Sequence, residues 1–160
     1  FNKNAVERLF KVKGKKEDGL SIMLNDTEII SDYCLLNQTA EKIIREFLPG
    51  PVTLILRPKR NFAKGVTRDG KIAIRIPANR TALELSEELP VVTTSANRHG
   101  AEIAANLDEA KEIFGSQCSY IDGEKPKGIE STIIDLTNKK PVIKRIGALY
   151  TSILEGIIEF

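Results

Sequence analysis

The chain has 160 residues, with 24 lysines and arginines against 22 aspartates and glutamates, a formal net charge of +2, and 41% hydrophobic and 29% charged residues. That length matches one ordinary domain able to bury about 70% of its unfolded surface, and the composition excludes collagen-like, disordered and disulfide-scaffold classes. No apolar run approaches the ~18 residues of a membrane span and no signal peptide is visible. The small net charge argues against a wholesale nucleic-acid coat and leaves room for a local basic groove. Cys34 and Cys118 stand far apart with no CxxC partner, which suggests a reducing, cytoplasmic setting rather than a zinc site or a disulfide framework.

Taken in chain order, residues 4–13 carry Val6, Leu9, Phe10 and Val12 at a spacing of three to four. This predicts an amphipathic helix with Asn2 or Asn4 as N-cap. Residues 20–24 read as a short buried strand. Residues 37–48 read as a helix capped by Asn37, with Ile43, Ile44, Phe47 and Leu48 on one face, and Pro49-Gly50-Pro51 ends it. Residues 52–56 are a strand. Residues 71–76 alternate with period two, a strand with Lys71 and Arg75 on one face. A helix over 79–89 precedes a strand at 91–94, which runs into the loop SANRHG at 95–100. A helix at 107–114, strands at 131–136 and 142–145 joined by a polar turn at 137–140, and a helical tail at 149–159 complete the reading. Helices alternate with strands, but tight strand–turn–strand joins occur too, so the expectation is a single α/β (α+β) domain over 1–160 with a mixed sheet and flanking helices.

The chemistry-bearing residues are few. There is no P-loop, no GxGxxG, no HExxH and no cluster with metal-ligand spacing. His99 lies in a loop beside Gly100, where a solvated side chain is the plain reading. Thr93, Thr94, Ser95 and Asn97 follow the apolar pair Val91-Val92. The loop leaving the carboxyl end of a strand is where α/β sheets bind ligands, although an asparagine turn explains the same residues. Ser131 and Thr132 follow the Gly- and Lys-rich stretch 122–130, whose backbone amides either cradle an anion or merely make a hairpin. Lys11, Lys13, Lys15 and Lys16 crowd a helix end, where cations offset the helix dipole. Arg57 and Arg145 end strands, positions suited to gripping a carboxylate or phosphate in bidentate fashion. Such cations around neutral hydroxyls describe either a pocket for a small anion or an RNA-facing groove. With 6% aromatics and no Trp a base-stacking platform is poorly supplied, which favours the small anion.

The stretches LPGPVTLILR (48–57), IAIRIP (72–77), TTSAN (93–97), STIID (131–135) and KRIG (144–147) occur in the order and spacing of a known family. Over residues 4–148 the chain resembles the YrdC-like L-threonylcarbamoyladenylate synthases, of the single-domain type. The resemblance implies a twisted sheet with a concave basic groove. It implies a nucleotidyltransferase that makes threonylcarbamoyl-AMP and pyrophosphate from ATP, L-threonine and bicarbonate, with Mg2+ carried by ATP. The product would serve the N6-threonylcarbamoyladenosine modification of transfer RNA through a separate transferase, with tRNA or RNA contact as a further expectation. ATP contacts would fall on Lys13, Lys15, Thr53, Ser95, Asn97 and Arg145, and threonine contacts on Arg57, Thr93 and Ser131. No protein metal ligand and no general base is implied.

Three departures accompany the resemblance. The signature arginine is replaced by Lys15, which keeps charge but loses the planar fork. The stretch 16–20 is one residue short, and Met23 stands where a histidine is common. The family's first strand, rich in threonine, has no counterpart, so a leader before Phe1 is expected in the natural protein. A non-enzymatic RNA-binding module and a catalytically silent relative remain the rival readings.

Overall fold

In this computed structural model the chain is described over residues 2–14, 20–125, 128–149 and 156. The elements in order are α1 (Lys3–Lys13), β1 (Ser21–Met23), α2 (Ile30–Tyr33), β2 (Cys34–Leu35), α3 (Gln38–Phe47), β3 (Val52–Pro58), β4 (Thr67–Arg68), β5 (Lys71–Arg75), α4 (Arg80–Leu85), β6 (Val91–Thr93), α5 (Leu107–Phe114), a 3-10 turn (Gly115–Gln117), β7 (Thr132–Asp135) and β8 (Val142–Arg145). The expected mixed α/β architecture is what forms. The short elements α2, β2 and β4 went unread in the sequence because two to four residues carry no periodicity. The helical tail expected at 149–159 lies almost wholly outside the described residues.

Asparagine opens each of the longer helices. Asn2 accepts from the amides of Asn4 and Ala5, Asn37 from Ala40, Asn79 from Ala82 and Asn106 from Glu109. Each satisfies an amide that has no partner within its helix. Asn37 also donates through Nδ2 to the carbonyl of Leu136 at 3.2 Å, fastening α3 to the end of β7.

The sheet runs β6-β1-β5-β3-β7-β8, with β2 added to β3 and β4 to β5. The pairs β1–β5 and β3–β7 are parallel, and the other pairings are antiparallel. Register decides what each face carries. Ile22, Ile74, Leu54 and Ile134 stand side by side across four strands, and none exposes any surface. Val6 and Phe10 of α1 and Ala40, Ile43 and Ile44 of α3 belong to the same core. One residue along, the period-two alternation turns the row Met23, Arg75, Thr53, Ile133 and Arg145 to the opposite face. That face is not closed by apolar packing: Arg75, Ile133 and Arg145 are half-buried there. Among the described residues no helix is long and apolar enough to cross a membrane.

Candidate functional site on the open sheet face

The carboxyl end of β6 and the last turn of α1 hold each other. Lys13 is only 7% exposed. Its Nζ donates to the Ser95 carbonyl at 2.8 Å, to Ser95 Oγ at 3.3 Å and to Asn97 Oδ1 at 2.6 Å. Ser95 Oγ donates to Asn97 Oδ1 at 2.7 Å, and Asn97 Nδ2 donates to the Ala101 carbonyl at 2.7 Å. The 95–97 loop is therefore a network built on a buried lysine. His99 contributes its backbone N–H, donated to the Lys13 carbonyl at 2.9 Å, so its local role is to cap α1.

Inward from that loop the face becomes a field of hydroxyls and guanidiniums. Thr93 Oγ1 lies 2.9 Å from Ser21 Oγ. Thr53 Oγ1 lies 2.7 Å from Ser131 Oγ. Arg145 donates from Nε and Nη2 to the Ser131 carbonyl at 3.1 and 2.9 Å, and from Nη1 to Glu130 Oε1 at 2.6 Å. Behind it the chain turns at Gly147, where a Cβ would sit 2.2 Å from the Glu130 carbonyl oxygen. Glycine is what lets the KRIG segment fold back so closely on residues 130 and 131. The structure thus joins Thr53, Ser131 and Arg145, and separately Lys13, Ser95 and Asn97, with Thr93 on the same open face.

Between these groups stands Arg75, which the sequence reading set aside. It shares a row with Met23 and Thr53. Its Nε is buried without a hydrogen-bond partner. Burial first, and the charge of Arg145 second, lower its pKa below the ordinary arginine value. A half-buried guanidinium with a buried, unsatisfied Nε and a like charge nearby is an environment that an anion relieves. On β5 it is two strands from β6 and two from β7, about 10 Å either way. The signal was available: the alternation in 71–76 sets Arg75 opposite the buried isoleucines.

Arg57 does not join the cluster. It lies at the far end of β3, exposed, with Nη2 donating to the Thr137 carbonyl at 3.4 Å. Ser131 is six residues back along the parallel partner strand, about 20 Å away, beyond reach of any ligand that one amino-acid carboxylate anchors. The expectation that Arg57 and Ser131 grip the same molecule is corrected on this ground. Nearby, Lys71 Nζ meets the buried Asp135 Oδ2 at 2.8 Å. Thr137 donates from its amide and Oγ1 to Asp135 Oδ1 at 3.0 and 2.6 Å. Burial opposes the Asp135 charge, but the bonds from Lys71 and Thr137 prevail and hold the carboxyl below its usual range. Lys15 lies outside the described residues. Among the described residues no three His, Cys, Asp or Glu converge as a metal cage.

A family profile described as "Telomere recombination", named for Sua5, YciO and YrdC, matches residues 1–147. The chain is 34% identical over 168 residues to the threonylcarbamoyl-AMP synthase of Pyrococcus abyssi, covering 99% of this chain and 48% of that protein. A Methanocaldococcus jannaschii relative is 38% identical over 152 residues, covering 93% of this chain and 72% of its own. The fold matches the crystal structure of P. abyssi Sua5 complexed with L-threonine at a TM-score of 0.92 and 33% identity, over 98% of this chain and 48% of that one. The chain spans about half the length of these P. abyssi relatives.

Proposed function

We propose that this chain, which belongs to the Sua5/YciO/YrdC family, joins ATP, L-threonine and bicarbonate into threonylcarbamoyl-AMP and pyrophosphate on its open sheet face. The observation that carries the reading is the convergence of the half-buried Arg75, whose Nε is buried and unsatisfied, with the Thr53–Ser131–Arg145 network on one face of the sheet. Relatives named threonylcarbamoyl-AMP synthase, one with a structure in complex with L-threonine, support it.

In this reading Arg75 takes the threonine carboxylate that Arg57 is too distant to share, and the hydroxyls of Thr53, Thr93 and Ser131 orient the amino acid. A guanidinium that binds a carboxylate gains a charge-assisted pair. The triphosphate lies toward Lys13, Ser95 and Asn97, with Lys15 assigned to it by the family resemblance, and Arg145 serves the nucleotide from β8. The threonine amine attacks CO2 derived from bicarbonate, giving the carbamate. A carbamate oxygen then attacks the α-phosphorus and pyrophosphate leaves. The reaction asks for alignment and charge neutralisation more than proton transfer, in keeping with a site of hydroxyls and cations. Mg2+ in this reading comes with ATP, held by phosphate oxygens and water. The product would pass, in the cytoplasm, to a separate transferase that modifies transfer RNA.

The test is pyrophosphate release that requires threonine and bicarbonate together. Release from ATP alone, or none, would refute the reading. A chain that bound RNA with a steep salt dependence and ignored threonine would instead be the RNA-binding module.

A further inference from the structure

Every carbonyl in the last turn of α1 has a partner. The Gly14 N–H meets the carbonyls of Phe10 and Lys11, the His99 N–H meets that of Lys13, and the carbonyl of Val12 receives Nη1 of Arg98. The same guanidinium donates through Nη2 to the Ile113 carbonyl in the last turn of α5 at 3.3 Å. It lies 5.4 Å from the centre of the Phe114 ring, within cation–π range. Arg98 thus sits at the carboxyl ends of two helices at once, where two partial negative charges favour a cation. It is also the residue directly after Asn97, whose Oδ1 receives both Lys13 Nζ and Ser95 Oγ.

We infer that Arg98 is a positioning residue for the nucleotide end of the site. It fastens the 95–97 loop to α1 and α5, so that Lys13, Ser95 and Asn97 are held in register before a ligand arrives. The inference rests on the nucleotide reading above, and its geometry does not. A planar fork is needed, because two carbonyls on different helices are met by two different nitrogens. A lysine here brings a single nitrogen, and a methionine keeps the aliphatic stem while losing both bonds.

The experiment uses the full chain as wild type, Arg98→Met and Arg98→Lys, with two readouts. Amide hydrogen exchange reports the His99 and Ala104 N–H groups, which bond to the carbonyls of Lys13 and Ala96; Leu54 in the central strand is the control. Calorimetric titration reports ATP with Mg2+ and, separately, L-threonine. Arg98→Met should speed exchange at His99 and Ala104 by roughly tenfold or more, leave Leu54 unchanged, and weaken ATP binding by roughly tenfold, threonine binding staying within about twofold. Arg98→Lys should fall between. Unchanged exchange at His99 overturns the clasp. Faster exchange with unaltered ATP affinity overturns its role toward the nucleotide. Equal losses for ATP and threonine mark Arg98 as merely structural and also overturn the inference. A wild-type chain that fails to bind ATP at all refutes the proposed function and the nucleotide role together, while the exchange readout still judges the clasp.

Discussion

Replacing Arg75 with methionine should move stability and binding in opposite directions. The side chain brings a buried Nε with no partner and a charge that faces Arg145. An unsatisfied buried donor costs about 1–3 kcal/mol. Methionine keeps most of the aliphatic stem, so little packing is lost. A net gain of about 1–2 kcal/mol raises the melting temperature of a domain this size by roughly 2–6 °C. The same change removes the charge-assisted partner of the threonine carboxylate, worth about 1.5–3 kcal/mol, or roughly ten- to hundredfold in affinity. Scanning calorimetry and threonine titration measure the two effects. A lower melting temperature with unaltered threonine affinity would mean that Arg75 is a structural residue and that the carboxylate sits elsewhere.

Asp135→Asn should remove a pH-dependent part of the stability. The folded carboxyl is held below its usual range, so its contribution is full above the unfolded value of about 4 and fades as pH falls through the lower folded value; denaturation midpoints of the two proteins should converge in acid, and parallel curves would refute the assignment. Cys34 is fully buried, and burial pushes its thiol up to about 12, the Lys59 charge opposing. A colourimetric thiol assay at pH 8 should therefore count one prompt cysteine, Cys118, and a second only after unfolding. Gly147→Ala forces a Cβ against the backbone of Glu130 and Ser131 and should lower stability by about 1–3 kcal/mol; a neutral result would show that the KRIG turn yields easily.

The sequence made the strands legible through two patterns: 71–76 alternates isoleucines with Lys71, Ala73 and Arg75, and 52–56 is a short apolar run beyond a Pro-Gly-Pro stop. Helix starts were legible through Asn37, and through the choice of Asn2 or Asn4, because an asparagine just ahead of an apolar-periodic run is a ready N-cap. What it left out was register. Arg57 and Arg75 are both strand arginines, and nothing local says which shares a row with Thr53. That follows from β3 and β5 running antiparallel with Thr53 opposite Arg75, a pairing set by the buried row of isoleucines and leucines one residue away. Arg98 was equally hidden, since its partners are backbone carbonyls of residues 12 and 113, and carbonyls leave no mark in a sequence.

Lys13 and Lys15 form one signature by spacing, yet arginine should be received very differently at the two positions. The Lys13 ammonium converges on Ser95 and Asn97 from a site 7% exposed. A compact, rotatable ammonium can aim at a carbonyl, a hydroxyl and an amide oxygen that surround one point, whereas a planar fork spreads its donors in a plane. Lys13→Arg also adds volume to a close-packed place, at about 1–3 kcal/mol. Stability and ATP affinity should both fall. Lys15→Arg returns the family's fork at a position where bidentate phosphate contact is expected, and ATP affinity should rise with stability unchanged. Parallel titrations of the two variants decide the matter. If Lys13→Arg binds ATP as the wild type does, the buried network is not what orders the loop. If Lys15→Arg weakens ATP binding, the site has been rebuilt around lysine and the family's arginine has no place in it.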